Sequence, residues 1–442
     1  MTIVTVGGGW AGCAAALGAA KAGVRSVLLE RTDQLLGTGL VGGIMRNNGR
    51  FAAAEELIAM GGGALFSLAD ENARHTNISF PGHVHASLYD VIRMPALVQR
   101  LLEEAGVEIY FCARVTAAQM DGTRIISVST QDGQTLSGDQ FIDATGTAGP
   151  MANCTKYGNG CAMCVLRCPS FGGRVSLTAL AGVQELCAEH AGAPSGAMSG
   201  SCKLLKESLS PELAKRLDRE GVAIVSIPAE MAADRLALKA CQQYALPQFK
   251  NSLILLDTGG VKLMSPYFGL RCLHMLPGFE NARYIDPCAG GRGNSMRFFA
   301  MAVRDDAMHV TGVENLFCAG EKAGLFVGHT EAIVTGTLAG YNAALAAYGQ
   351  EPRVYPRGLA VGEAIAWTRE QMAQPKGLEK RYTFSGASLL EHLRECGLDS
   401  DDRDTIQKRV RLSGAQDLFA NILPRLTKQE HALNKDVPVF AM

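Results

Sequence analysis

The sequence predicts an α/β fold, a doubly wound parallel sheet carrying a β-meander, joined to a second α+β domain and a C-terminal, mostly helical segment. Three observations carry this. Thr2–Val6 is an apolar, β-branched run that enters Gly7-Gly8-Gly9-Trp10-Ala11-Gly12, then a small-residue helix through about Ala22, then a second apolar run, Ser26–Glu30, that ends in an acid. Strand, glycine turn, helix and strand in that order are the opening unit of a Rossmann-like dinucleotide-binding domain. Further on, Val115–Met120, Arg124–Thr130 and Gln134–Gly138 are joined at Asp121-Gly122 and Asp132-Gly133, two hairpin signals that make a meander. Late in the chain, Asn315–Ala319 reads as a strand that runs into Gly320–Gly328 and a helix over Thr330–Tyr348.

The remaining elements fill in between these. Arg93–Ala105 has helical spacing in Met94, Leu97, Val98, Leu101 and Leu102, Gly106 caps it, and Val107–Phe111 follows as a strand. Gln140–Ile142 is a strand that ends in Asp143-Ala144-Thr145-Gly146. Cysteines, prolines and short strands dominate afterwards, and beyond Pro352 the chain turns charged, with Ala387–Cys396 and Asp404–Leu412 as amphipathic helices. The expected domains are therefore 1–150 with 312–350 for the nucleotide, 151–311 for a cysteine-bearing substrate domain, and 351–442 for the C-terminal segment.

Composition narrows the function classes. The 442 residues are 47% hydrophobic and 19% charged, which supports buried cores rather than disorder. A net charge of -1 without long runs of one sign disfavours nucleic acid as a partner. Thirteen cysteines, an odd and uneven set, fit a reducing compartment better than a secreted disulfide framework. The apolar N-terminus has no basic region before it and is explained by the strand and glycine loop, so a cytoplasmic protein without a membrane span is expected.

The glycine loop meets every contextual requirement of G-x-G-x-x-G, because a strand precedes it, a helix follows, and Glu30 closes the second strand about 20 residues on. Gly7 permits the turn, Gly9 lets the backbone reach a pyrophosphate, and Gly12 lets the helix pack on the strand, while the helix N-terminus offers unpaired N–H groups. Glu30 would accept from ribose hydroxyls. NAD and FAD both use such a loop.

The rest of the chain separates them. Gly7–Gly12, Glu30-Arg31, Gly37–Gly43, the meander, Asp143–Gly146 and Asn315–Gly340 occur in the order seen in FAD-dependent oxidoreductases, and the sequence resembles that family. The late segment is most similar to the GidA-related flavoproteins, which include folate-dependent tRNA-uridine methyltransferases. The N-terminal third also resembles reductases of the heterodisulfide-reductase type. The resemblance covers the nucleotide lobe and implies FAD as cofactor, with Gly7, Gly9, Trp10, Ala11 and Gly12 in the loop and Glu30 and Arg31 by the adenosine ribose. It further implies Gly42 and Gly43 near the pyrophosphate, Val115 at the adenine, Ala144 and Gly146 near the dinucleotide, and Gly320 and Glu321 by the ribityl chain. Independently of the resemblance, the late helix can aim its positive end near Thr330 and Glu331 at the flavin. His329 stands there as a flavin-side donor or simply as a helix-terminal histidine.

Cys154, Cys161, Cys164 and Cys168-Pro169 form a second signal. The Cys-x2-Cys-x3-Cys-Pro part resembles the end of a bacterial ferredoxin motif, and four thiolates match one [4Fe–4S] cluster. Structural zinc, a redox pair at Cys161 and Cys164, or no function are the alternatives. The wide first gap leaves Cys154 replaceable by Cys187 or Cys202. The segment leaves directly after Asp143–Gly146, which would bring a cluster near the dinucleotide, and no second glycine-rich unit exists for NAD(P)H.

Arg271, His274, Arg292 and Arg297 can clamp a carboxylate or phosphate of a substrate, or form ordinary ion pairs. Cys272, Cys288 and Cys318 read as core cysteines rather than nucleophiles, and His75, His83 and His85 as ordinary loop or pocket histidines rather than metal ligands, the last two on one side if their segment is extended. The expected function is an FAD-dependent oxidoreductase with a [4Fe–4S] cluster, passing electrons between a protein partner and a small-molecule substrate. His329, Arg271 and Arg292 are its candidate catalytic residues. A folate-dependent RNA-uridine methyltransferase and a non-catalytic electron-transfer subunit are the rivals. Homo-oligomerisation stays open.

Overall fold

The protein is described by a computed structural model that covers residues 1–146, 167–189, 197–199, 202–232, 236, 244–264, 269–285, 295–297 and 299–420. Five parallel strands form the central sheet, in the order Leu316–Cys318, Gln140–Asp143, Thr2–Val6, Arg25–Leu29 and Glu108–Tyr110. Each strand is a short apolar run without charge on its inner residues, as a sheet covered on both faces requires.

Two helices made of small residues lie side by side on this sheet. Trp10–Lys21 and His329–Ala347 are mostly buried, and glycine lets their backbones meet. A Cβ on Gly336 would stand 2.2 Å from the Ala11 carbonyl oxygen, and one on Gly340 2.0 Å from that of Ala15. The seam thus fixes the start of the late helix against the glycine loop.

The meander forms as read, with Val115–Asp121, Arg124–Thr130 and Thr135–Ser137 pairing antiparallel, and Gly122 and Gly133 take the positive φ that their turns need. A region without a sequence reading, residues 50–89, holds helices Arg50–Ala59 and Ala64–Glu71 and a hairpin of Ala73–Phe80 with His83–Tyr89. Ile44–Arg46 adds a third strand to that hairpin.

A separate four-stranded antiparallel sheet is ordered Cys202–Leu204, Gly260–Leu263, Ser252–Thr258 and Val222–Ser226. One of its faces packs on its own core around Leu217, Leu255 and Phe279. Its other face meets the Ile44–Tyr89 strands through Ile254, Leu256, Phe80 and Leu88. Helices Ala360–Met372, Ala387–Glu395 and Arg403–Leu412 set Ala364, Leu389, Leu393 and Val410 into the same core as the parallel sheet. Among the described residues no single helix is long and apolar enough to cross a membrane, and the bent pair Arg50–Ala59 and Ala64–Glu71 buries its apolar side in the core.

Candidate functional site: a dinucleotide cleft

A cleft of about 1740 Å³, counted out to open solvent, lies at the carboxyl ends of the parallel strands, where Val6, Leu29, Ala144 and Ala319 reach its wall. This is where open α/β sheets bind ligands. The three loop glycines do separate things. Gly7 has φ +103°, and a Cβ there would meet the Ala144 carbonyl oxygen at 2.5 Å. A Cβ on Gly12 would stand 1.7 Å from the Gly7 carbonyl oxygen, so this glycine closes the helix onto the strand. Gly9 has an ordinary φ of -68°, and no atom lies within 4 Å of where its Cβ would be. It borders open cleft space, the cradle a pyrophosphate needs. No side chain caps the helix that starts there, so its first N–H groups are available to an anion.

Glu30 is buried and held from three sides. The Gly8 N–H donates to one carboxylate oxygen at 2.7 Å, and the Thr32 N–H and hydroxyl donate to the other at 2.7 and 2.9 Å. The carboxylate is thereby fixed between the glycine loop and the cleft wall. Arg31 donates to the Gly172 carbonyl at 2.6 Å and, with Arg114, Val115, Gly146 and Arg174, lines the same end. Burial lowers the Arg31 pKa from its usual range.

At the other end the start of the late helix meets the Gly39–Gly42 turn. The His329 imidazole occupies the space that a side chain on Gly42 would fill, since a Cβ there would lie 1.9 Å from its Cε1. Its Nδ1 is 3.3 Å from the Tyr89 hydroxyl. That hydroxyl donates to the Gly39 carbonyl at 2.6 Å and accepts from the Trp10 indole N–H at 3.2 Å. Its single proton is therefore committed, which assigns the donor role to Nδ1–H of His329 and leaves Nε2 as the acceptor in the neutral ring. Burial pushes the Tyr89 phenol up, so it stays protonated.

Two cross-strand lysines clamp the turn from below. Lys262 donates to the carbonyls of Val41 and Gly42, each at 2.7 Å, and Lys203 donates to that of Leu40 at 2.9 Å. Burial, reinforced by the Lys262 charge, pulls the Lys203 pKa down to about 7.

Of the residues expected at a dinucleotide, Gly7, Gly9, Trp10, Ala11, Glu30, Arg31, Gly42, Val115, Ala144, Gly146, Gly320, Glu321 and His329 all line this cleft. Gly12 supports it from behind. Four other candidate residues do not line the cleft. Gly43 packs on Thr258, where a Cβ would come within 2.3 Å. The Thr330 hydroxyl donates to the Met45 carbonyl at 2.6 Å. The Glu331 carboxylate turns into the protein to meet the Arg50 guanidinium at 3.1 Å, the Thr383 hydroxyl at 2.7 Å and the Phe384 N–H at 3.0 Å. Arg271 is exposed and does not line the cleft.

Cys168 begins a short helical turn, whereas Cys154, Cys161, Cys164, Arg292 and Cys288 lie outside the described residues. Cys187 is exposed, and Cys272 is exposed rather than in a core. Cys318 is buried, and burial pushes its thiol up to about 12. His83 is buried against Asn47 while His85, at φ +54°, turns to Asn77, so the two do not share one side. Sequence reading missed Arg50, Tyr89, Arg174, Tyr244 and Lys262. Only Lys262 left a signal, a lone cation inside the apolar run Val261–Met264.

Residues 2–154 match the FAD dependent oxidoreductase family, and residues 263–351 match the glucose inhibited division protein A family. The tRNA uridine 5-carboxymethylaminomethyl modification enzyme MnmG of Thermus thermophilus is 31% identical over 155 residues, 33% of this chain and 25% of that protein. The methylenetetrahydrofolate–tRNA-(uracil-5-)-methyltransferase TrmFO of Solibacter usitatus is 34% identical over 134 residues, 30% of this chain and 29% of that protein. The matched part thus spans about a quarter of the curated relatives' length. GidA of Aquifex aeolicus has a similar fold, with a TM-score of 0.60 at 15% identity over 93% of this chain and 76% of that one. Both curated relatives carry the names of tRNA-modifying enzymes, and the expectation that nucleic acid is an unlikely partner is not borne out. The two family matches fall on the glycine-loop lobe and on the late strand and helix that complete its cleft, and together they support a GidA-related, FAD-dependent oxidoreductase family for this chain.

Proposed function

We propose that the chain binds FAD along the cleft and acts as an FAD-dependent oxidoreductase, with the reacting end where Gly42, His329 and Lys262 meet. The single observation that carries this reading is the convergence of the open space at Gly9, the triply held Glu30 and the His329 helix start on one cleft. Glu30 with Val115 would hold the adenosine, and Gly9 to Ala11 with Gly320 and Glu321 the pyrophosphate and ribityl chain. Bound FAD supplies two-electron redox chemistry that the side chains lack. His329 holds a proton at Nδ1 toward Tyr89 and can take one from a reacting group at Nε2. Tyr89 and Trp10 fix its ring, and the lysine clamp fixes the turn opposite.

We further propose that Cys154, Cys161, Cys164 and Cys168 hold a [4Fe–4S] cluster that exchanges electrons with a protein partner, the substrate being a small molecule. Support comes from the motif and from the packing of residues 167–175 on the cleft. Arg167 pairs with Asp33 at 2.6 Å, Arg31 holds Gly172, and Arg174 and Val175 line the wall. A second reading, a folate-dependent enzyme acting on uridine in RNA, is favoured by the printed names of the curated relatives. Anaerobic reductive titration of FAD-loaded protein separates the two. More electrons accepted than the flavin alone takes, with iron and sulfide present, supports the first. Iron-free protein that methylates uridine in unmodified tRNA with methylenetetrahydrofolate supports the second and overturns the first.

A further inference from the structure

Away from the cleft, helices Ala360–Met372 and Ala387–Glu395 face each other with two side-chain pairs of the same spacing. On the first, Glu363 and Trp367 are four residues apart, and on the second so are His392 and Cys396, which brings each pair onto one face. The Glu363 Oε1 lies 2.8 Å from His392 Nε2, and the Cys396 Sγ lies 3.6 Å from the same nitrogen. All three donor atoms fall within 4.8 Å of one another. Because carboxylate and thiol approach the same ring nitrogen, this is not a Cys–His–acid relay, which needs them at opposite nitrogens. It is the convergence of a ligand set.

From this geometry we propose that Glu363, His392 and Cys396 form a Zn²⁺ site. Carboxylate oxygen, imidazole nitrogen and thiolate sulfur are all zinc donors, and three protein ligands leave a fourth position for water. Tetrahedral zinc with Zn–N at about 2.0 Å and Zn–S at about 2.3 Å separates nitrogen from sulfur by about 3.5 Å, close to the 3.6 Å found. The nitrogen–oxygen gap must open by about 0.5 Å from its hydrogen-bonded 2.8 Å to reach the tetrahedral value, a small side-chain rotation. Binding exchanges the Cys396 proton for the metal, and that proton leaves to solvent.

The surroundings orient the ligands before metal arrives. The Trp367 ring stacks on the His392 ring at 4.5 Å and 9°, which fixes the plane of the imidazole. Arg357 donates to the Glu363 Oε2 at 2.8 Å, leaving Oε1 aimed at the histidine, although a second contact from Arg357 to Oε1 at 2.9 Å must give way. Arg357 is 53% exposed and has a second carboxylate, Glu370 at 2.8 Å, to hold it when that contact opens. Hydrogen bonds of this kind to a ligating carboxylate tune metal affinity. Cys396 is exposed, so the site is reachable from solvent.

Trp367 makes the site observable, because the chain has only two tryptophans and the other, Trp10, lines the cleft. Co²⁺ added to FAD-loaded protein should quench Trp367 emission and give a thiolate-to-cobalt charge-transfer band. Zn²⁺ should then reverse both. Competition with a chromophoric chelator should show one zinc more per parent chain than per Cys396→Ser or His392→Ala chain, and Glu363→Gln should weaken that zinc by at least the roughly 10- to 100-fold that loss of a supporting hydrogen bond to a ligand costs. Cys396→Ser alters only an exposed atom, so it remains a fair test if His392→Ala folds poorly. Equal zinc uptake and equal cobalt quenching in the parent and in Cys396→Ser would overturn the proposal, whatever the cysteines at 154–168 bind.

Discussion

Alanine at Gly9 and alanine at Gly12 should have opposite effects, because the same loop uses the two glycines for different reasons. At Gly9 the backbone is already at φ -68° and ψ 179°, and no atom stands within 4 Å of the new Cβ. The flavin-free fold should therefore tolerate Gly9→Ala, and by restricting the unfolded chain it should gain about 0.4–1 kcal/mol. The methyl group nevertheless projects into the space a pyrophosphate needs. A hundredfold loss of FAD affinity, about 2.8 kcal/mol, is the expected result. Gly12→Ala would instead put a carbon 1.7 Å from the Gly7 carbonyl oxygen. Helix and strand must separate to admit it, and overpacking of that kind costs about 1–3 kcal/mol or more. Urea unfolding of deflavinated protein reads the stabilities, and quenching of FAD fluorescence reads the binding. A Gly9→Ala protein that binds FAD like the parent would refute the reasoning about the cradle, and a Gly12→Ala protein of parental stability would refute the packing.

Glu331→Gln leaves the buried Arg50 guanidinium without its carboxylate and should cost about 3–5 kcal/mol in the same unfolding assay. A loss under about 1 kcal/mol would return Glu331 to the surface of the site. Lys203 should make stability rise with alkalinity. Its pKa is about 7 folded against 10.5 for an ordinary lysine, so between those values the unfolded chain holds a proton that the folded chain does not. Stability then climbs by up to about 1.4 kcal/mol per pH unit, and Lys203→Met should flatten that climb relative to the parent. Cys168→Ser should remove or convert the iron–sulfur centre while leaving FAD bound, as judged by iron, sulfide and flavin content of anaerobically purified protein. Parental iron and sulfide in that variant would exclude Cys168 as a ligand.

The parts of the fold legible in the sequence are those governed by neighbours along the chain. The glycine loop, the Asp-Gly turns and the late strand and helix carry their geometry in a few consecutive residues, and the structure forms all of them. The packing partner of an apolar face is a different matter. Leu389 and Leu393 announce a helix face, but nothing in their spacing says that it meets the core of the parallel sheet. The site divides in the same way. Glu30 follows from the end of its own strand, whereas Arg50, Tyr89 and Lys262 reach it from distant segments. The late helix begins within one residue of where expected, yet the side chain of its third residue, Glu331, points inward because Arg50 sits there, an event set by a residue 281 positions away. Even local periodicity breaks at His83 and His85, since a positive φ at His85 ends the alternation that two histidines one residue apart would otherwise keep.

The central claim is that the cleft is an FAD site, and extraction of the nucleotide from protein purified in the dark tests it most directly. Release by mild acid, followed by chromatography and quantitation against protein, should give one FAD per chain for the parent and little for Gly9→Val. FMN or NAD as the sole nucleotide, or FAD retained at parental stoichiometry by Gly9→Val, would contradict the assignment of the cleft.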